Sequence, residues 1–287
     1  MNEILPDEIY SLLMNRYSCR SYQERDIPQD VLEQLLQIAI HSASGGNLQP
    51  FSIIVVHDPA RRRVLADACG QAFVGQAPVD LVFLLDWHKL SLYTEAADAP
   101  FVCSASLDHN LTACEEIACA IARLETAAQF CGLGCCLIGN ILGRRAEVAD
   151  TLALPDQTYP LLLLTLGYPK DAGIIRNKLP YSAMVFEERY DSRSDEELVA
   201  GFAQKYQGMN YSLPAQEPQR SQQLNEIRSA LLTTYDERRT AAMMEKINAT
   251  GCLSEIQRRF ALHYPAHRSA DQSEAMRADL RSAGIFF

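Results

Sequence analysis

Two stretches of this chain, Val79-Asp80-Leu81-Val82-Phe83-Leu84-Leu85 and Leu161 to Leu166, are apolar at nearly every position. A strand with one face in water alternates apolar and polar side chains, so runs that do not alternate predict strands covered on both faces. Between them, Glu115 to Cys131 is long and Ala-rich and reads as a central helix. Whatever else the chain does, it has to bury these strands.

The remaining periodicity adds elements in order. A short helix is expected near Glu8 to Asn15, followed by an extended segment and a helix from about Pro28 to Ala39, with Pro28 at its first helical position. Val31, Leu35, Ile38 and Ala39 fall on one face of that helix and form its core stripe. A strand from Ser52 to Val56 follows. Asp58-Pro59 opens another helix, with Val64, Leu65 and Ala68 inward and Arg61, Arg62 and Arg63 in solvent. Asp86 to Asn110 has no clear period, contains Trp87, His88, Tyr93 and His109, and is long for a structureless connection; such insertions are often lids. His88 and His109 read as solvated side chains of that interval.

Composition narrows the functional classes. With 287 residues and 48% hydrophobic content the chain can bury a large core, as one domain or one domain with an appendage. Met1 to Glu8 lacks the basic and apolar regions of a leader, and no stretch approaches about 18 uninterrupted apolar residues, so a cytoplasmic protein with no membrane partner is expected. A net charge of −10 disfavours nonspecific binding to nucleic acid. The nine cysteines are odd in number and lack metal-ligand spacing, which predicts reduced, mostly buried thiols and no metal site.

Two segments carry chemistry. In Ser42-Ala43-Ser44-Gly45-Gly46-Asn47-Leu48-Gln49-Pro50-Phe51, adjacent glycines allow close backbone approach to a ligand, and Ser44, Asn47 and Gln49 supply short polar groups. The same composition also suits an ordinary helix-to-strand turn. Upstream, Arg16-Tyr17-Ser18-Cys19-Arg20 places two guanidinium groups and a hydroxyl on alternate positions of an extended segment, where they can converge on a phosphate. Solvated ion pairs are the alternative for such arginines.

Together these segments resemble the FMN-dependent nitroreductase family, whose members open with R-[RY]-S-x-R and carry a loop close to A-P-S-S-x-N-x-Q-P-[WF]. Two further stretches are similar to that family: Ala127 to Gly139, with its G-L-G turn into a strand, and Leu164-Thr165-Leu166-Gly167-Tyr168-Pro169. The resemblance spans about residues 8 to 190.

It implies an α+β, three-layer fold: a mixed, mostly antiparallel sheet flanked by helices. It also implies a homodimer with noncovalent FMN at the interface, NAD(P)H as electron donor, and flavin-borne chemistry that needs no protein acid or base. The small-molecule substrate would be an electron-poor ring such as a nitroaromatic or quinone. Arg16, Tyr17, Ser18, Arg20 and Lys178, with Arg176, correspond to the cofactor-binding segment and to phosphate and ribityl contacts. Asn47 and Gln49 would meet the ribityl chain or flavin edge, Ser44 and Gly45 would reach the flavin across the interface, and the backbone around Leu137, Ile138 and Gly139 would face its reactive nitrogen. Within the family, dehalogenation, dehydrogenation or flavin fragmentation are alternatives to nitro or quinone reduction; a flavin-binding regulatory module is another.

Three positions depart from the pattern. Ala43 replaces a proline, Gly45 replaces a serine, and Arg123 stands where the central helix has a small polar residue, facing Glu116, Glu125 or the substrate.

After Tyr190 the resemblance ends, which predicts a domain over 1–190 and a helical extension over 191–287. Gly208 to Ser221 reads as a linker. Leu224, Ile227, Leu231 and Tyr235 predict one amphipathic helix, with Gly251 closing it or its continuation. Leu253, Ile256, Phe260 and Tyr264 predict a second, and Ser269 caps a third through Met276 and Leu280. Arg258, Arg259, His263, His267 and Arg268 form a local basic patch. Since the extension carries 12 Lys+Arg against 13 Asp+Glu, a solvated or dimer-facing surface is the expectation there.

Overall fold

The computed structural model describes residues 5–190 and 193–287. The leader reading over Met1 to Ile4, and Asp191 at the start of the expected extension, lie outside the described residues. In chain order the first elements are α1 (Asp7–Met14), α2 (Gln29–Ile40), β1 (Phe51–Val56), α3 (Pro59–Cys69), β2 (Val79–Asp86), α4 (His88–Ala96), α5 (Leu107–Phe130), β3 (Gly134–Ile138), α6 (Arg145–Leu152) and β4 (Thr158–Gly167).

Both apolar runs become the inner strands of a four-stranded sheet ordered β1-β2-β4-β3. Every residue of β2 is buried, as two-faced cover requires. Each of the three pairings is antiparallel. Alternation along β2 then separates two cores. Leu81, Phe83 and Leu85 pack with Leu32, Leu35 and Ala39 of α2 and with Ile117, Ile121 and Leu124 of α5. On the opposite face, Val82 and Leu84 pack with Leu65 and Cys69 of α3 and with Val148 and Leu152 of α6. Truncating one of the buried leucines or isoleucines here costs about 2–5 kcal/mol.

Several local expectations shift. Pro28 is the N-cap of α2, with ψ 138°, so the helix begins one residue later. Its buried face runs through Leu32, Leu35 and Ala39, while Val31 and Ile38 flank it half-buried. Arg62 is not simply solvated: it donates to the carbonyls of His57 (3.2 Å) and Gly75 (3.4 Å) and to that of Ala77, tying α3 to the turn before β2. The interval expected as a lid holds α4, and its ends are anchored in the core. Trp87 is 1% exposed and donates its indole N–H to Asn110 Oδ1 at 2.7 Å.

The chain divides into two compact units, one running up to Ile175 and including Ala275–Phe287, the other Arg176–Glu274. The partition thus differs from a cut after Tyr190, and the last thirteen residues explain half of the difference. Leu280, Ala283 and Ile285 are buried in the core shared by α2 and α5, Asn110 donates to Phe286 O at 2.8 Å, and the Phe286 N–H reaches Ser104 O at 2.9 Å.

The second unit contains α7 (Tyr181–Met184), α8 (Asp195–Lys205), β5 (Asn210–Ser212), α9 (Gln219–Leu232), α10 (Glu237–Thr250), β6 (Cys252–Ser254) and α11 (Glu255–Arg258). A capping box of Ser194 and Glu197 starts α8. The expected linker contains β5, which pairs with β6. Gly251, at φ 65°, closes α10. Ile227, Ala230, Ile247, Leu253 and Ala261 form this unit's own core. The helix expected from Leu253 to Tyr264 is broken: β6 and α11 give way to a wide turn over Arg259–His263. A final helix, α12 (Ser269–Ser282), leads into the residues that belong to the first unit.

Candidate functional site

β3 is an edge strand, and the segment after α1 is pinned along its free side. The Cys19 N–H donates to Cys135 O at 2.8 Å, the Gln23 N–H to Tyr168 O at 2.9 Å, and the Lys170 N–H to Ser21 O at 3.0 Å. Tyr22, buried against the sheet, shares a 2.6 Å hydrogen bond with the Thr165 hydroxyl and donates to Cys19 O at 2.8 Å. Arg16 to Arg20 is therefore held in place by its backbone.

In an antiparallel ladder, both backbone polar groups of a residue point to the same side and alternate along the strand. Because Cys135 O faces Cys19, Leu137 also turns its N–H away from β4, and no backbone acceptor meets that N–H among the described residues. Ile138 alternates into the ladder. Gly139 starts a short 3₁₀ turn and is exposed. Of the three positions expected to face a flavin ring, Leu137 has the free edge amide.

The side chains of the 16–20 segment differ in availability. Arg16 Nε lies 2.6 Å from Glu125 Oε1, and Tyr17 is half-buried. A cavity of about 260 Å³ beside them is lined by Leu12, Arg16, Tyr17, Glu125, Gln129 and Cys135, among others. Arg20 is exposed, makes no ion pair among the described residues, and stands 5.8 Å from the centroid of the Phe73 ring. Ser18 is half-buried next to Cys136. Burial pushes the thiols of Cys19, Cys135 and Cys136 up, so they are protonated neighbours rather than nucleophiles. All nine cysteines are free, and no group of metal-ligating side chains occurs among the described residues.

The loop between α2 and β1 is strained as well as polar. Gly46 has φ 58°, and the non-glycine residues Asn47 and Gln49 also adopt positive φ, 58° and 50°, at a cost of roughly 1 kcal/mol each. Several bonds hold the loop there. The Gln49 N–H donates to Ser44 Oγ at 2.9 Å, Gln49 Nε2 donates to Ile40 O at 3.0 Å, and the Gly45 N–H donates to Glu116 Oε1 at 2.7 Å. Gln49 thus spends its amide donor on its own helix, whereas Asn47 projects into solvent.

Arg123 is exposed on α5. Its expected partners are engaged elsewhere, Glu116 with Gly45 and Glu125 with Arg16. Arg176 and Lys178 open the second unit; both are exposed and without an ion pair among the described residues. Sequence reasoning placed the arginines and the loop, but missed Glu116 and Glu125 as their partners. Only the presence of acids on an otherwise Ala-rich helix hinted at them.

An edge strand with a free amide and, beside it, a guanidinium without an ion pair among the described residues form a surface suited to a phosphate-bearing ligand, while the strained glycine loop lies at the other edge of the sheet, before β1. Comparison with known families matches residues 13–168 to the nitroreductase family, and the chain belongs to that family. A curated relative from Bacillus subtilis, named FMN reductase (NAD(P)H), is 29% identical over 186 residues, 64% of this chain and 75% of that protein. Among solved structures, the hypothetical oxidoreductase YcnD from Bacillus subtilis aligns with TM-score 0.73 at 22% identity, covering 98% of this chain and 99% of its own. NADPH:FMN oxidoreductase from Vibrio harveyi, solved with NAD+, gives TM-score 0.64 at 23% identity, covering 85% and 98%. At 98% coverage, nearly all of the C-terminal hundred residues also have counterparts in the YcnD structure. No helix among the described residues is long and apolar enough to cross a membrane.

Proposed function

We propose that this protein is an NAD(P)H-dependent FMN oxidoreductase acting on an electron-poor ring such as a nitroaromatic or quinone. The observation that carries the reading is the β3 edge, where the free Leu137 N–H of the strand lies on the side against which the segment carrying Arg20 is pinned, and Arg20 makes no ion pair among the described residues. FMN, when bound, supplies hydride acceptance at its ring nitrogen and hydride return to a substrate.

The chain's own residues hold and polarise. Arg20 and the Ser18 hydroxyl neutralise and bond phosphate oxygens, Arg20 through charge-assisted bonds. Tyr17 and Arg16 wall the adjoining cavity. The Leu137 N–H would be the donor available to a bound flavin ring, where such a donor would stabilise the negative charge that reduction develops. Ser44, Gly45, Asn47 and Gln49 supply the loop contact to a flavin.

A cavity of about 260 Å³ falls below the roughly 300–1,000 Å³ usual for small-molecule sites, so a second surface has to complete the enclosure. A second copy fits that need, because α5 exposes Leu107, Leu111, Ala118, Cys119, Ala122 and Phe130. Contiguous apolar faces of this kind mark protein–protein contacts. The reading is therefore a homodimer with FMN at its interface.

The test is the absorbance spectrum of the purified protein, which should show flavin, followed by FMN titration. Arg20→Ala should weaken FMN binding at least tenfold, and Lys178→Ala, measured separately, tests the other cation of the proposed phosphate contacts. Steady NAD(P)H oxidation with a quinone or nitrofuran supports the reductase reading. A flavin-loaded protein that turns over neither acceptor rejects it.

A further inference from the structure

Glu116 is 5% exposed on the inner side of α5. One carboxylate oxygen accepts the Gly45 N–H at 2.7 Å. The other, Oε2, is buried and has no hydrogen-bond partner among the described residues. A carboxylate enclosed with half of its acceptor capacity unused is a poor stability device, since burial without full hydrogen bonding is costly. What its one bond does achieve is local: it fixes the first residue of a loop that carries Gly46, Asn47 and Gln49 at positive φ.

The approach is close on both sides. A Cβ at position 45 would lie 3.3 Å from Glu116 Oε1 and 3.3 Å from Thr112 Cγ2, so the glycine that departs from the family's serine is the residue that lets the loop backbone seat against α5. Arg123, the other departure on this helix, is not available to neutralise the acid, being exposed. Strained backbone persists only where its surroundings over-determine it. The bonds that do so come from Ser44 and Gln49 within the loop, from Ile40 on one side and from Glu116 on the other.

We infer that Glu116 is the positioning residue of the flavin-binding loop: its Oε1 holds the Gly45 amide so that Ser44, Gly45 and Asn47 are presented to FMN in a pre-formed conformation. The inference rests on the reading of that loop as an FMN contact. It does not make Glu116 a ligand of the flavin, because Oε2 is buried and Oε1 is taken by the Gly45 N–H. The effect runs through the backbone, by removing conformational freedom that binding would otherwise have to quench.

Two measurements on the full-length protein separate this inference from the functional reading beneath it. Hydrogen exchange of the Gly45 amide tests the anchor with no flavin involved. Glu116→Ala should speed it by tenfold or more, whereas Glu116→Gln, which keeps a carbonyl acceptor in the same place, should leave it within about threefold of wild type. FMN titration then tests the purpose, with Glu116→Ala weakening FMN about tenfold and Glu116→Gln restoring most of the affinity. A general loss of stability would not be rescued in this pattern.

Gly45→Ala provides a second route should Glu116→Ala fail to fold. The added methyl should weaken FMN binding several-fold in the wild-type background and less in Glu116→Gln, whose neutral amide can turn aside; equal losses in both backgrounds count against coupling between the two residues. If wild-type protein takes up no FMN, the functional reading falls. If it takes up FMN and Glu116→Ala changes neither exchange nor affinity, or if Glu116→Gln behaves like Glu116→Ala, this inference is overturned and the reading stands.

Discussion

Arg16 Nε sits 2.6 Å from Glu125 Oε1, with the two side chains 32% and 15% exposed, and this contact gives the two arginines of the N-terminal segment different work. Arg16 is committed to α5 and locks the segment to the helix. Arg20, four residues on, makes no ion pair among the described residues.

Substitution should therefore separate them. Arg16→Ala strands a partly buried carboxylate and is expected to cost about 1–3 kcal/mol of stability, with FMN affinity changed only a few-fold. Arg20→Ala should do the reverse, leaving urea midpoints within about 0.5 kcal/mol of wild type while FMN binding falls at least tenfold. Paired urea denaturation and flavin titration read both effects. Equal loss of FMN in the two variants would contradict the division.

Asp80 is a buried acid in the middle of β2, with neither carboxylate oxygen hydrogen-bonded among the described residues. Burial raises its pKa from 3.8 to about 8, against the opposing pull of the Arg62 guanidinium. The folded protein thus keeps a proton that the unfolded chain releases above pH 3.8. The contribution of Asp80 to stability is therefore greatest below that value, falls by up to about 1.4 kcal/mol per pH unit as pH rises toward 8, and levels off beyond. Asp80→Asn should abolish this slope. Thermal midpoints at pH 5, 6.5 and 8 measure it, and an unchanged slope in the variant would assign the pH dependence to other groups.

Much of the frame is legible in the chain because it follows from near neighbours. The unbroken apolar run at Val79–Leu85 announces a two-faced strand, and β2 is buried throughout. Arg16 to Arg20 and Ser42 to Phe51 are likewise local patterns, and the structure holds both segments in place. What the sequence hides are pairings between distant residues. Glu116 meets Gly45 across 71 positions and Glu125 meets Arg16 across 109, so the acids of α5 looked like partners for Arg123, the cation closest to them in sequence. Asp80 hides within an apolar run for the same reason. The amphipathic pattern of α12 announces a helix but does not say which core receives Leu280 and Ile285. A regular spacing at Leu253, Ile256, Phe260 and Tyr264 promised one helix, yet three of its positions, Ile256, Phe260 and Tyr264, remain exposed and the local backbone widens instead.

Gly134, the first residue of β3, marks where the pinned segment crosses closest to the sheet. A Cβ there would stand 2.8 Å from Cys19 Cβ and 2.8 Å from Pro169 Cγ, distances at which main chain has to move. Gly134→Ala should cost about 1–3 kcal/mol through overpacking and displace Cys19 from Cys135. Because Ser18 and Arg20 flank that point, the flavin titration should weaken in step with the urea midpoint. Loss of stability with fully retained FMN affinity would show that the segment's path does not set the site.

Asn110 is wholly buried and satisfied on both sides of its amide. It accepts from the Trp87 indole at 2.7 Å and donates to Phe286 O at 2.8 Å. Asn110→Ala leaves a donor and an acceptor without partners, and at about 1–3 kcal/mol for each group the protein should lose roughly 2–6 kcal/mol. Asn110→Asp keeps the acceptor for Trp87 but turns a carboxylate oxygen toward the Phe286 carbonyl, so it should release the C-terminal residues while leaving the indole bonded. Trp87 is the only tryptophan in the chain, which makes its emission a direct reporter. The expected result is a shifted emission maximum in Asn110→Ala, a near-native maximum in Asn110→Asp, and faster proteolysis after Ser282 in both. A native emission spectrum together with native protease resistance in Asn110→Ala would mean that the buried amide is not what fastens the C-terminus to the sheet.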